Sequence, residues 1–184
     1  MKQLNPLFIQ KAALSRFLSR FFMLVFSIFS MQCAMAQTTL NTTAIPGWLN
    51  NNGNGTVTFN FQNTNSYPII ITGVEGIVGT AGVTSADVWV KTTPVSGPPG
   101  AISIANGWTQ MATGTFTGVA NTTTLTTQPF LTGISVTIPA GVTYGMAITA
   151  YVGTAGRQRY FTIPTAMLPT ITLSGGGCNI IRVP

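Results

Sequence analysis

From about residue 56 onward, apolar and polar residues alternate with a period of two along much of this chain. Val57, Phe59 and Phe61 interleave with Thr56, Thr58 and Asn60. Such alternation predicts a strand with one buried face and one wet face. The turn-rich stretch Asn50-Asn51-Asn52-Gly53-Asn54-Gly55 precedes it. Tyr67 to Val78 predicts a second strand, with Gly73 marking a bulge. Asp87 to Thr92 predicts a third, Trp108 to Phe116 a fourth, and Thr122 to Thr127 a weaker, polar one. Ile134, Val136 and Ile138 alternate with Ser135 and Thr137, and Pro139-Ala140-Gly141 then turns the chain. Val142, Tyr144, Met146 and Ile148 carry the apolar face of the return strand, so these two runs are expected to pair as a hairpin. Gly153 to Gly156 reads as a further turn, leading into strands over Arg157–Thr162 and Thr170–Ser174. Thr93 to Gly107 holds Pro94, Pro98 and Pro99 among glycines and reads as one long loop.

Many short strands with frequent turn signals predict an all-β fold, a two-sheet antiparallel β-sandwich. A jelly-roll and an immunoglobulin-like strand order fit the pattern equally. The Cys…Trp…Cys mark of a true immunoglobulin domain is absent, and no fixed-period repeat is present. The sandwich is placed at residues 56–177, after an N-terminal turn-rich segment at 37–55 and before a C-terminal tail at 178–184.

The first 36 residues break the pattern. Lys2, Lys11, Arg16 and Arg20 form a basic region, Phe21 to Met31 is uncharged and apolar, and Ala34-Met35-Ala36 follows. Basic, apolar and A-x-A in that order describe a secretory signal peptide, its helix preceding the sandwich, with cleavage between Ala36 and Gln37. Arg16 and Arg20 limit the apolar run to about 11 residues, short of the roughly 20 a spanning helix needs. Membrane contact is thus expected only through an uncleaved signal peptide.

Removing that segment changes the charge. The formal net charge of +6 falls mostly within it. The rest keeps Lys91, Arg157, Arg159 and Arg182 against Glu75 and Asp87. Four scattered cations cannot replace the counterions along a phosphate backbone, so no nucleic-acid partner is expected. Arg157 and Arg159 read as a solvated strand face. The about 148 remaining residues suffice for one domain with a core, and solubility rests on Thr, Asn, Ser and Gln. Cys178 is left without an intrachain partner and reads as an incidental thiol.

The chain contains no His, which removes Ser-His-Asp and Cys-His catalysis. Glu75 and Asp87 are the only carboxylates, so neither a tuned acid–base pair nor a metal-ligand cluster is expected. No catalytic residue, metal site or cofactor is assigned. The aromatics are the better candidates. With Val88 and Val90 inward, Asp87, Trp89 and Lys91 share the outward face of one strand, where an indole beside polar groups can stack on a sugar ring. Trp108, Tyr151, Tyr67 and Trp48 would extend such a platform. The competing assignment for Trp89 and Trp108 is core or inter-sheet packing.

The order of several segments resembles a family of secreted modules from Bacteroidetes-type bacteria. A strand like Asp87–Thr92 (DVWVKT) is followed by a loop and a Trp-led strand, here Trp108–Thr115 (WTQMATGT), and then a Thr-rich stretch. An apolar strand runs into P-A-G-x-x-Y-G-M at Pro139–Met146, and a segment like TITLSGG closes the unit. The likeness spans roughly residues 50–177. It implies a cell-surface or extracellular protein, often joined to other β-sandwiches or to a type IX sorting domain, with no shared catalytic residues. In that family a final strand follows the Gly-rich turn, whereas here Cys178–Pro184 end the chain. On that reading the product is truncated and the sandwich lacks an edge strand. The expected function is an exported, non-catalytic module with a structural or adhesive role. The alternative is a carbohydrate-binding module of an extracellular hydrolase. The expected partners are an extracellular polysaccharide or a surface protein.

Overall fold

Alternating β-branched and aromatic residues give strands where their apolar halves find a common core. In a computed structural model of the chain they do so eleven times among the described residues. These are residues 20, 23, 37–41, 48–50, 55–121, 123–124, 126–152, 155–162 and 172–183. The strands are β1 (Trp48–Asn50), β2 (Thr56–Asn63), β3 (Ile69–Val78), β4 (Gly82–Lys91), β5 (Thr109–Gly118) and β6 (Gln128–Ile138). They continue with β7 (Thr143–Val152), β8 (Ala155–Gly156), β9 (Gln158–Thr162), β10 (Thr172–Gly175) and β11 (Cys178–Ile181).

Residues 1–38 and 39–184 form separate compact units. In the first, Arg20 and Met23 are helical and exposed, and Gln37 and Thr38 are exposed. The rest of residues 1–36, Ala36 and the remainder of the expected signal helix included, lies outside the described residues. Among those that are described, no helix is long and apolar enough to cross a membrane.

The second unit is an antiparallel β-sandwich. One sheet has the order β1-β9-β3-β6. The other has the order β10-β11-β2-β7-β4-β5, with β8 added at the end of β7. The core between them takes Phe61 from β2, Val74 and Val78 from β3, and Val88 and Val90 from β4. Phe130, Val136 and Ile138 of β6 and Met146 and Ile148 of β7 complete it. Phe116 of β5 stacks on Phe130 of β6 across the sheets, with ring centroids 4.5 Å apart. The bulge expected at Gly73 is present, as the β3–β6 register shifts between Ile71 and Gly73.

The structure corrects four expectations. The runs on either side of Pro139-Ala140-Gly141 are strands, but they do not pair with each other. β6 pairs with β3, whereas β7 lies between β2 and β4 in the other sheet. The turn is a corner between sheets, and both apolar faces meet the same core from opposite sides. Buried Asn63 fixes this corner. Its Nδ2 donates to the carbonyls of Ile138, Pro139 and Tyr67 at 3.2, 3.0 and 2.9 Å, and its Oδ1 accepts from Asn65 N at 3.0 Å.

The polar stretch at 122–127 is not a strand at the residues described within it. Asn121 Oδ1 instead accepts from the amides of Thr123 and Thr124 at 3.3 and 3.0 Å, an Asx-type turn that competes with ladder bonds. Residues 178–184 are more than a tail. Cys178–Ile181 form β11, which inserts between β10 and β2, so a strand does follow the Gly-rich turn. Its apolar residues pack on the core, with Cys178 buried and Ile180 partly so. The segment 37–55, finally, contributes β1, which pairs with β9.

Candidate functional site

Register decides which candidate residues share a surface. Val88 is fully buried and Val90 nearly so, which turns Asp87, Trp89 and Lys91 of β4 to the outer face of the larger sheet. Tyr151 pairs with Ser85 on the same face. Asp87 lies opposite Thr113 of β5 and Thr149 of β7, and Trp89 lies opposite Ala147. The predicted grouping of Asp87, Trp89, Lys91 and Tyr151 on one face is therefore present.

The loop at 93–107 changes what this face can do. Instead of projecting, it lies down across the centre of the sheet. Asn60, at an outward position of β2, grips it twice. Asn60 Oδ1 accepts from Val95 N at 2.7 Å, and Asn60 Nδ2 donates to Val95 O at 3.0 Å. The Gly145 amide adds a bond to Thr93 O at 3.2 Å. Gly145 is the residue that permits this approach, because a Cβ there would stand 2.6 Å from Val95 Cγ2.

Under the loop lies a second small core of Val95, Trp108 and Ala147, with Trp89, Ile102 and Val183 packed against it. Trp108 directly precedes β5 and is only 1% exposed. Its backbone N donates to Ser103 O at 3.1 Å, closing the loop. A single 3-10 turn at Ile104–Asn106 leads to Gly107, whose φ of 79° is the left-handed conformation glycine favours. Trp108 Nε1 has no hydrogen-bond partner among the described residues, so this indole acts through its apolar surface.

The remaining candidates are held by neighbours on the same face. Asp87 accepts from Gln110 Nε2 at 2.7 Å and from Thr149 Oγ1 at 3.2 Å. The Tyr151 hydroxyl shares a 2.9 Å hydrogen bond with Thr56 Oγ1. Tyr67 is exposed, but it lies in the β2–β3 connection rather than on this face. Trp48 belongs to β1, in the other sheet. The four aromatics proposed to extend a platform around Trp89 are thus divided. Trp108 is buried beneath the loop, Tyr151 is on the face, and Tyr67 and Trp48 are elsewhere.

The two carboxylates do not meet. Glu75 is exposed on β3 of the smaller sheet, where it accepts from Thr127 Oγ1 at 2.6 Å, whereas Asp87 faces outward from the larger one. Among the described residues no three His, Cys, Asp or Glu side chains cluster to hold a metal ion. Cys178 is buried, and desolvation pushes its thiol pKa above the usual value. Arg157 and Arg159, read as a solvated face, are half-buried, and the Arg159 guanidinium packs against Gly79.

Asn60 and Asn63 are the residues that sequence reasoning missed. Asn60 fills an outward slot in an alternating strand, where a polar residue is the ordinary choice, and only the loop's position makes it buried. Comparison with protein-family models, curated proteins and solved structures gives no match to this chain.

Proposed function

We propose that this chain is an exported, non-catalytic β-sandwich with a structural or adhesive role at the cell surface. The observation that carries this reading is the packing of its aromatics. Trp108 is sealed beneath the loop and Trp89 leans on the same cluster, so the candidate face is built as a covered, polar wall rather than a row of free rings. The only two carboxylates lie in different sheets, which leaves no paired acid and base. The basic, apolar and A-x-A order of residues 1–36 supports export. The resemblance of the segment order to that of secreted Bacteroidetes-type modules supports a surface location.

Expression from the chain's own leader tests export. The expected product begins at Gln37 and is found in the extracellular or surface fraction. An uncleaved chain retained in the cytoplasm would overturn the assignment. Co-sedimentation with insoluble polysaccharides separates the structural reading from the carbohydrate-binding one. The structural reading expects no retention, and saturable retention lost in Trp89→Ala would replace it.

A further inference from the structure

We infer that β5 is a self-complementary edge through which two copies of this chain join their larger sheets. Among the described residues β5 is the last strand of its sheet and pairs only with β4. Among the described residues the other three sheet edges are blunted. There β1 has three residues and β10 has four. β6 carries Pro129, the positive-φ Gly133 and two register shifts. Short strands, prolines and bulges are the ordinary means of keeping an edge from pairing. β5 has ten residues and contains no Pro, Lys, Arg, Asp or Glu. Its one irregularity, opposite Val88 and Trp89, falls near the Thr109 end. From Ala112 to Gly118 it pairs with β4 in unbroken register.

The sequence of that regular stretch nominates the partner. The threonines of this stretch are placed symmetrically about Thr115 in A-T-G-T-F-T-G, while Gly114 mirrors Phe116 and Gly118 mirrors Ala112. In an antiparallel pair centred on Thr115, Thr115 faces its own copy and Thr113 faces the partner's Thr117. All three threonines are exposed on the outer face. Directly opposed Thr–Thr pairs are favourable in antiparallel sheets. On the inner face, Phe116 meets the partner's Gly114, and Ala112 meets its Gly118. Each larger side chain is therefore set against a glycine. A two-fold axis through Thr115 makes the contact isologous and closed, so the expected species is a dimer and not a filament. No residue of β5 carries a charge that would oppose the approach. The pairing rests on the fold alone and holds wherever the protein is located.

Sedimentation velocity of the purified protein over a concentration series, compared with Thr115→Lys, tests the pairing. Thr115 is exposed, so Thr115→Lys retains the circular dichroism spectrum and melting temperature while setting two ammonium groups face to face. The expected result is a wild-type dimer and a rise of about tenfold or more in the dimer dissociation constant for the variant. Thr115→Cys in a background carrying both Cys33→Ser and Cys178→Ser is expected to cross-link efficiently with a short bis-maleimide. Thr109→Cys in the same background, away from the axis, is expected not to. A wild-type monomer at every concentration, a Thr115→Lys dimer of unchanged affinity, or cross-linking at position 109 rather than 115 would each overturn the proposal.

Discussion

The Asn60 side chain and the Val95 backbone form a two-bond clamp, with Val95 N donating to Asn60 Oδ1 at 2.7 Å and Asn60 Nδ2 donating to Val95 O at 3.0 Å. This primary amide acts as one more strand residue would, meeting both an N–H and a C=O that the loop carries into a buried place. Because Asn60 and Val95 are both buried, water cannot replace the lost partner when the amide is removed. Asn60→Ala is expected to cost about 2–3 kcal/mol. Chemical denaturation measures that loss, and limited proteolysis is expected to show new cleavage confined to the loop at 93–107.

Trp108 is expected to behave as an apolar plug. Its indole N–H has no partner among the described residues, so Trp108→Phe loses volume but no hydrogen bond. That substitution is expected to cost about 1 kcal/mol, and Trp108→Ala about 3–4 kcal/mol. Equal losses in the two variants, measured by denaturant melts, would mean that the N–H does carry a bond.

The corner at Pro139 supplies a third test. Asn63 is fully buried and serves three carbonyls as well as the Asn65 amide. Asn65 in turn donates to the carbonyls of Gly176 and Gly177, both at 3.1 Å, in the β10–β11 turn. One side chain thus ties the β2–β3 connection to the sheet-to-sheet corner, and Asn65 extends the tie to the last hairpin. Asn63→Ala is expected to cost about 3 kcal/mol, more than loss of any single surface threonine. A double-mutant cycle with Asn65→Ala is expected to be non-additive.

Cys178 gives a pH-dependent readout. Burial raises its thiol pKa above the ordinary 9.0, so the folded chain holds this proton more tightly than the unfolded chain. The stability it contributes is complete below the unfolded pKa and is lost as pH rises through the folded one. Stability is therefore expected to fall above about pH 9, and part of that fall should vanish in Cys178→Ser. The native thiol is also expected to react slowly with a disulfide reagent until denaturant is added.

How much of this was legible in the sequence depends on the kind of question. Where apolar and polar residues alternate clearly, strand existence and facing followed from that alternation, whereas β1 and β11 did not announce themselves. Val57-Phe59-Phe61 and Ile134-Val136-Ile138 point inward as their period requires, and Asp87, Trp89 and Lys91 turn out together. Pairing did not follow. A short turn between two alternating runs suits a hairpin and a corner equally, because both send their apolar faces into one core. Which of them forms is settled by β2 and β4, which flank β7 on both sides and leave β6 to β3. The loop at 93–107 shows the same limit. Its prolines and glycines announce irregular backbone, but its landing place is set by Asn60 and Gly145, far away in sequence. Trp108 is therefore buried by a contact that no local pattern encodes, and the sugar-stacking role weighed for it gives way to packing.

The most direct test of a covered, structural face is the tryptophan emission of Trp48→Phe, which leaves Trp89 and Trp108 as the reporters. The account predicts blue-shifted emission that does not respond to a panel of extracellular polysaccharides. Red-shifted emission that moves and saturates on titration would contradict it and would make this face a sugar-binding surface.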